Sequence, residues 1–306
     1  YESTDETIPT VDKTSGVIRG IKQGKTTIIV KQEETNDISI VQVDVLKENT
    51  SIKPSVQTSN SHNAILKADG TVWMYGENNY GELGNGTTNA SDNVIKVNFE
   101  NDVKIKQIVI GENHTVALDE NGVVWTWGRN NYYQLGNNKT ALSSTPIKVE
   151  LEEKIVKIAS GYNQVFAITE DNKLYAWGLN TNGELGAGTT ESKLVPTLVE
   201  SVKDVLDVAS GKSHTVVITT NGKVYTTGSN AYSSLTGSEY KHNKFGEAEG
   251  LENIAYISAG EYHNLALSTD GKLYAWGLNA NGQLGLGNLD TINVPTEVKG
   301  ITDIQE

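Results

Sequence analysis

The chain has 306 residues, of which 38 are acidic and 25 are basic, and its formal net charge is −13. An acidic surface repels nucleic acid and anionic lipid, so neither is expected as a partner, although solubility alone also explains such a charge. The sequence contains no cysteine, which excludes disulfides, thiol nucleophiles and cysteine metal sites. No apolar run approaches the length of a membrane span, so we expect no direct insertion into a membrane.

The first fifty residues predict a small module of short strands. Apolar residues alternate or run together at 17–19, 26–30 and 38–45. Turn residues lie between these runs, at Ser15-Gly16 and Gln23-Gly24. The segment TVDKTSGVIRGIKQGKTTIIV, followed by VQVDVL, resembles the later half of a bacterial group 2 immunoglobulin-like domain. This resemblance implies a partial β-sandwich over residues 1–50, a module typical of bacterial surface and secreted proteins, and it favours an extracellular or cell-surface location in a bacterium.

From residue 51 onward, one unit of about fifty residues recurs five times. Its most visible part is a glycine block, which reads VWMYGENNYGELGNGT, VWTWGRNNYYQLGNN, YAWGLNTNGELGAGT, VYTTGSNAYSSLTGS and YAWGLNANGQLGLGN. The units cover approximately 51–102, 103–153, 154–203, 204–252 and 253–300. Residues 301–306, ITDIQE, match the start of other units, so we expect a sixth repeat and a longer multidomain protein.

Two further blocks recur once in each unit, at the same spacing as the glycine block. The first reads SNSHNAIL, GENHTVAL, GYNQVFAI, GKSHTVVI and GEYHNLAL. The second places a turn at Asp69-Gly70, Asn121-Gly122, Asp171-Asn172, Asn221-Gly222 and Asp270-Gly271. Such pairs favour two-residue hairpins, in which both central residues have positive φ. With two more short runs per unit, the sequence predicts an all-β fold, a β-propeller of four-stranded blades that bury their faces against each other.

The combined pattern, G-x-x-H-x-x-A-L followed by D-G-x-h-Y-x-W-G-x-N-x-x-G-Q-L-G-x-G, resembles the repeat of the regulator of chromosome condensation superfamily. That resemblance implies a ring of seven blades, of which this sequence contains five and the start of another, so we expect residues beyond Glu306 to complete it. The fourth unit departs from the pattern, because it lacks the Q-L-G-x-G ending and Gly246 stands where Pro146, Pro196 and Pro295 lead us to expect proline. Three alternative explanations stay open for this departure: decay of the repeat, a position at the edge of the propeller, and a specialised insertion.

The recurring residues favour structural roles over chemistry. A phosphate loop leads into a helix, whereas the glycine block leads into a segment without helical period and occurs five times. The histidines His62, His114, His214 and His263 share one position with Gln164, which favours hydrogen bonds to nearby backbone rather than a metal site. Each turn offers too few oxygens for calcium. We therefore predict no enzyme activity, no metal and no cofactor.

Positions that vary among the units are the candidates for recognition. They lie before the histidine and inside the glycine block, in loops, and loops on a rigid scaffold commonly bind partners. Tyrosine supplies contact area at low entropic cost, and asparagine supplies adaptable hydrogen bonds, although ordinary exposed turns have a similar composition. The candidate residues are Tyr80, Glu112, Arg129, Tyr132, Tyr133, Tyr162, Asn182, Tyr232, Tyr262 and Asn281.

These observations leave several functions open. The first is a non-enzymatic, secreted or cell-surface bacterial propeller that binds a protein or a surface glycan through its loop face. The second is an architectural spacer in a larger surface assembly. A third rests on the superfamily resemblance alone, because a nuclear relative catalyses nucleotide exchange on a small GTPase and a bacterial relative inhibits β-lactamases, and fold does not transfer function.

Overall fold

The computed structural model describes the backbone of residues 2–3, 9–11, 18–20, 24–31 and 38–45, and then residues 52–236, 241–301 and 304. The chain divides into two compact units, Tyr1–Ile52 and Lys53–Glu306. Strands dominate both units, and the 3-10 turn Glu100–Asp102 is the one helical element within the described ranges. No helix among the described residues is long and apolar enough to cross a membrane.

The first unit contains five strands. They are β1 (Glu2–Ser3), β2 (Pro9–Val11), β3 (Ile18–Gly20), β4 (Gly24–Lys31) and β5 (Ile38–Val45). Strands β1, β4 and β5 form one antiparallel sheet, and β2 pairs with β3. The runs predicted at 26–30 and 38–45 therefore lie in strands, while the turn at 15–16 and Gln23 lie outside the described residues. The immunoglobulin-like identity of this unit stays a prediction.

The second unit consists of five four-stranded antiparallel sheets, the blades, in which the strands lie side by side in chain order. The first blade is β6 (Ser55–Thr58), β7 (His62–Leu66), β8 (Val72–Gly76) and β9 (Ser91–Lys96). The second is β10 (Ile105–Ile110), β11 (His114–Asp119), β12 (Val124–Gly128) and β13 (Ser143–Lys148). The third is β14 (Ile155–Ser160), β15 (Gln164–Thr169), β16 (Leu174–Gly178) and β17 (Lys193–Leu198). The fourth is β18 (Val205–Ser210), β19 (His214–Thr219), β20 (Val224–Ser229) and β21 (Lys241–Glu247). The fifth is β22 (Ile254–Ala259), β23 (His263–Ser268), β24 (Leu273–Gly277) and β25 (Ile292–Glu297).

These sheets confirm the predicted all-β propeller architecture. A ring of seven blades stays a prediction, since five are described, and the predicted sixth repeat at 301–306 lies largely outside the described residues. In each blade the second strand begins opposite the end of the third, as in the pair His114 and Gly128. The histidine loop and the glycine block therefore share one end of the blade, which we call the loop face. The hairpin turns between the second and third strands lie at the other end, the turn face.

The hairpins differ from the two-residue turns that the sequence predicts. In the second blade the amide of Asp119 donates to the carbonyl of Val123 at 3.0 Å, and the amide of Gly122 donates to the carbonyl of Asp119 at 3.1 Å. These bonds enclose a loop of three residues, in which Gly122 alone has positive φ, 87°. The prediction was wrong because a tight turn followed by one left-handed residue also selects Asn-Gly and Asp-Gly.

Burial shows how the blades depend on each other. Every residue of the second strand is buried in the second, third and fourth blades. In the first and fifth blades, burial of this strand alternates instead. Val56 is 74 % exposed, whereas Ile108, at the same register position of the next blade, is 1 % exposed. A blade buries both faces only when it lies between two others, as expected for stacked repeats.

The glycine block forms half of each seam between blades. The Trp127 indole donates from Nε1 to the carbonyl of Glu82 in the preceding blade at 2.7 Å, and Trp177 bonds Gln134 in the same way at 3.0 Å. A Cβ on Gly84 would lie 2.8 Å from Trp127 Nε1, which is closer than carbon atoms pack. The glycine recurs because the next blade's indole lies against it, in addition to the turn that the sequence predicts.

The fourth blade replaces this contact with another. Thr227 stands at the tryptophan position, and the ring of Phe245 covers Gly186, where a Cβ would overlap the ring. Thr226 pairs with Gly246 as Thr126 pairs with Ile147 in the second blade. Phe245, and not Gly246, therefore occupies the proline position. The proline position predicted from the sequence was wrong because the fourth unit lacks the L-G-x-G ending after Leu235 from which the position is counted in other units.

Replacing Gly84 by alanine should destabilise the protein more than replacing Gly86 in the same block. Both glycines have positive φ, 65° and 85°, so an alanine is strained at either. The nearest atom to a Cβ at Gly86 is Thr145 Cγ2, at 3.9 Å, whereas Gly84 meets the indole. We expect an additional loss of about 1–3 kcal/mol in the free energy of unfolding, measured by urea denaturation. Equal losses for the two variants would contradict the seam contact.

Candidate partner-binding loop face

An asparagine, buried in four of the five blades, organises each glycine block. In the second blade the amide of Leu135 donates to Asn130 Oδ1 at 2.9 Å, and Asn130 Nδ2 donates to the carbonyls of Lys139 at 2.8 Å and Ala141 at 3.1 Å. The bond to the leucine amide recurs at Asn78, Asn180, Asn230 and Asn279. Sequence reasoning assigned no role to this asparagine, although its recurrence in all five units was the available signal. It fixes the loop without involving the residues that vary.

A second support lies under the variable residues of the block. Glu82 and Gln134 accept the backbone amides of Tyr80 and Tyr132, each at 2.8 Å. Glu184 accepts the amide of Asn182 at 2.7 Å and Gln283 that of Asn281 at 2.9 Å. Burial raises the pKa of the Glu184 carboxyl. In each of these four bonds the variable residue contributes its backbone amide, so the bond remains when the side chain changes from blade to blade.

The recurring histidines connect neighbouring blades. Hydrogen bonds join His62 Nε2 to Thr115 Oγ1 at 3.2 Å and His214 Nε2 to Asn264 Oδ1 at 2.8 Å. The partners are thus side chains of the following blade, and not the nearby backbone that the sequence predicts. Burial lowers the pKa of His62 and of His214 to about 4, so both are neutral at pH 7. Within the described residues, no group of three acidic or histidine side chains is arranged to hold a metal ion.

Two of the candidate residues, Glu112 and Tyr162, lie on the loop face just after the first strand of their blades. A cavity of about 330 Å³ opens there, with a lining drawn from all five blades that includes Glu112, Tyr162, Lys212 and Glu261. Backbone bonds link the cavity lining from blade to blade, for example from the Glu112 amide to the Tyr162 carbonyl at 3.0 Å and from the Lys212 amide to the Glu261 carbonyl at 3.1 Å. The base of these loops is therefore fixed by the backbone.

Lys212 gathers several of these side chains into what we call the Lys212 cluster: Lys212, Glu261, Tyr162, Tyr262 and Tyr232. Lys212 Nζ lies 2.7 Å from Glu261 Oε1, 4.9 Å from the centre of the Tyr162 ring and 5.7 Å from that of Tyr262. The rings of Tyr232 and Tyr262 are 4.4 Å apart. The hydrogen bond that Lys212 donates to Glu261 raises the pKa of Lys212, so the ammonium stays charged.

A second group surrounds Arg129, and we call it the Arg129 clamp: Arg129, Tyr80, Tyr132, Asn113 and Asn131. The guanidinium carbon lies 4.9 Å from the centre of the Tyr80 ring and 5.4 Å from that of Tyr132. Its Nε donates to Asn131 Oδ1 at 2.6 Å and its Nη1 to Asn113 Oδ1 at 3.3 Å. The tyrosines come from adjacent blades, so the clamp spans a seam.

The structure brings seven of the ten candidate residues into or beside these two groups. Tyr80, Arg129 and Tyr132 belong to the clamp, Tyr162, Tyr232 and Tyr262 to the Lys212 cluster, and Glu112 lines the cavity together with Tyr162. The side-chain hydrogen bond that Tyr162 donates to Glu112 raises the pKa of Tyr162. Sequence reasoning omitted Lys212, although a basic residue in the same variable slot as Tyr162 was the signal for it.

The remaining three candidates stand apart from both groups. Tyr133 has a φ of 65°, at the position where Gly81 has 84° and Gly183 has 83°, so its backbone forms the turn and its side chain is half-buried. Asn182 is half-buried and bonds to Glu184, while Asn281 is exposed. Tyr133 contributes to the turn, which makes it a poor choice for a binding variant.

Acid should destabilise this protein through its buried histidines. Below about pH 6.5 the unfolded chain binds a proton at His214 that the folded chain does not accept until about pH 4, so stability falls as pH decreases through this window. At pH 5 the loss is about 2 kcal/mol for such a site. His214→Gln should therefore reduce the loss between pH 7 and pH 5, and Gln164→His should increase it, in urea denaturation at the two pH values. Unchanged pH dependence in both variants would contradict these buried neutral histidines.

Comparison with known proteins identifies a family model and relatives that match this sequence. A model of the RCC1-like domain matches residues 14–306, including much of the segment that resembles an immunoglobulin-like domain. The zebrafish "Protein RCC2 homolog" is 34 % identical over 91 residues, which is 29 % of this chain and 18 % of that protein. Mouse "E3 ubiquitin-protein ligase HERC2" is 30 % identical over 108 residues, which is 35 % of this chain and 2 % of that protein. This chain thus matches less than one fifth of the length of either relative.

Solved structures agree with the family model at the level of fold. Human WBSCR16 has a TM-score of 0.73 at 23 % identity, covering 81 % of this chain and 67 % of that chain. Prp20p from Saccharomyces cerevisiae has a TM-score of 0.72 at 20 % identity, covering 94 % of this chain and 78 % of that chain. The match of the family model over 14–306, together with blades closed by indole-to-glycine seams, shows that the chain belongs to the RCC1-like domain family.

Proposed function

We propose that this propeller is a non-enzymatic protein-binding module that contacts its partner through the loop face, with the Arg129 clamp and the Lys212 cluster at the centre of the contact. The observation that carries the proposal is the separation of two residue classes in the same loops. The asparagine recurs in every block and the glutamate or glutamine in four of the five, with Ser234 as the exception, whereas the residues above them vary. Residues that the fold does not constrain are available for recognition.

The chemistry of the variable residues fits a protein interface. Tyr80, Tyr132 and Tyr232 are 36 %, 37 % and 43 % exposed, so each offers ring surface that a partner is able to cover. Tyrosine and arginine dominate the binding energy of many protein interfaces. Contacts with Arg129 hold the rings of Tyr80 and Tyr132 in place before binding, and Tyr262 packs against Tyr232, which lowers the entropy lost on association.

The titles of two yeast structures support a protein as the class of partner. One describes Kap60 bound to yeast RCC1 (Prp20), at 24 % identity to this chain, and the other describes binding of Prp20p to Gsp1p and histones. Those partners are the yeast protein's own. For this chain the partner's identity stays open, and a surface glycan is the alternative ligand.

Three further elements complete the proposal. An extracellular or cell-surface location in a bacterium rests on the resemblance of residues 1–50, while the relatives described above come from animals and yeast. An architectural spacer would instead bind nothing through the loop face. An exchange-factor or inhibitor role follows from the superfamily analogy, and no residue described here favours it over simple binding.

Capture of a partner from an extract of the source organism tests the proposal. Asn182 and Asn281 occupy the position of Tyr132 and Tyr232 in other blades, so Tyr132→Asn combined with Tyr232→Asn should fold normally. We expect this variant to lose at least about tenfold in captured partner, as the loss of two interface tyrosines implies. The control is Tyr256→Ala, because Tyr256 is 45 % exposed but lies on the turn face, beside the hairpin of the fourth blade.

The outcomes separate the hypotheses. Loss of capture in the loop-face variant with retention in the control supports the proposal. Equal capture by both variants contradicts it, and a partner lost only with Tyr256→Ala would move the interface to the turn face. Removal of the captured partner by glycosidase treatment would favour the glycan alternative.

A further inference from the structure

Arg129 carries a charge that the described structure does not neutralise. The chain contains two arginines, Arg19 and Arg129, in an acidic protein. Within the described residues, no carboxylate lies at ion-pair distance from Arg129, whereas Lys212 is paired with Glu261. The polar side chains that hold Arg129 are the neutral amides of Asn131 and Asn113.

The geometry leaves three N–H groups of the guanidinium without a partner. Nε and one hydrogen of Nη1 are taken by the two asparagines, so the second hydrogen of Nη1 and both hydrogens of Nη2 have no acceptor among the described residues. Charged N–H donors of this kind form strong hydrogen bonds with the oxygens of a carboxylate. The rings of Tyr80 and Tyr132 cover the guanidinium and restrict its rotation, and the Arg129 amide is itself bonded to the Asn113 carbonyl at 2.8 Å.

We propose that the Arg129 clamp binds the side-chain carboxylate of an aspartate or glutamate on the surface of the partner protein. This inference rests on the proposed function and names the chemistry that the loop face recognises. The exposed tyrosines on either side of the arginine contact the residues that flank the carboxylate. Burial of this ion pair between aromatic rings strengthens it relative to a pair in water.

The surrounding charges favour a single carboxylate over a phosphate or a polyanion. Glu82 lies behind the clamp, where its Oε1 accepts from Asn113 Nδ2 at 3.4 Å, and the chain carries a net charge of −13. One guanidinium neutralises one negative charge locally. A dianion or a run of acidic residues carries further negative charge, which the acidic surface of this protein repels. The matching site on the partner is therefore an isolated acidic residue in neutral or basic surroundings.

The small number of arginines makes a direct measurement available. In a ¹⁵N-labelled protein, the side-chain Nε–H region holds signals from Arg19 and Arg129, and the spectrum of Arg129→Leu assigns them. Leucine occupies this position at Leu179 and Leu278, so that variant should fold. N-acetyl-glutamate N-methylamide is titrated at constant ionic strength, with N-acetyl-glutamine N-methylamide as the uncharged control.

We expect a saturable shift of the Arg129 signal with the glutamate compound, and no such shift with the glutamine compound or at Arg19. Equal responses to both compounds, or no response to either, would overturn the proposal. N-acetyl-diglycine, which carries only a terminal carboxylate, and inorganic phosphate form two further arms. A stronger response to either one than to the glutamate compound would overturn the choice of a side-chain carboxylate.

The captured partner gives a second test. Arg129→Leu should weaken its binding at least tenfold, and Arg129→Lys should recover only part of the loss, because an ammonium lacks the planar set of N–H donors and the stacking of a guanidinium on aromatic rings. If Arg129→Leu binds normally while the Tyr132 and Tyr232 variant does not, the carboxylate inference fails and the proposed function stands. If neither variant affects binding, both fail.

Discussion

The contact of an indole in one blade with a glycine in the preceding blade is the constraint on which the rest of the propeller depends. Trp127 and Trp177 each bond a carbonyl of the preceding block and lie against a glycine that tolerates no Cβ. The fourth blade preserves the surface contact with Phe245 after losing its tryptophan. The seam thus depends on a flat aromatic ring that packs against the glycine, and either tryptophan or phenylalanine is able to provide that ring.

Fixing the seam and the glycine block by recurring residues has a functional consequence. In four of the five blocks, the glutamate or glutamine beneath the loop binds a backbone amide of a variable residue, and the asparagine of every block binds the leucine amide, so these bonds do not depend on which variable side chain is present. Two clusters of aromatic and cationic groups then stand on one face of a rigid support. In the Lys212 cluster the charge is neutralised by Glu261, whereas the Arg129 guanidinium has no carboxylate partner among the described residues. The loop face therefore combines a preformed aromatic surface with one site of defined electrostatic preference.

The periodicity of the sequence predicted the blades, the strands of each unit and the two loop regions, because five copies of one unit show the same pattern of strands and turns. It did not predict the three-residue hairpins, since Asn-Gly and Asp-Gly suit either turn, nor the position of Phe245, which only strand pairing determines. Seven of ten candidate residues came together on the loop face, but Tyr133 proved to hold a left-handed turn, and Lys212 was overlooked. Contacts across seams join residues about fifty positions apart, which no local pattern reveals.

The central claim is that the variable tyrosines of the loop face contribute little to the fold. The triple variant Tyr80→Asn, Tyr132→Asn and Tyr232→Asn gives all five units the asparagine already present at Asn182 and Asn281. Its free energy of unfolding in urea, compared with that of the unaltered chain, tests the claim most directly. The account predicts a loss within about 1–2 kcal/mol, the size of two exposed cation–π contacts. A loss of about 4 kcal/mol or more, typical of a core substitution, would show that these tyrosines hold the fold together and would contradict the account.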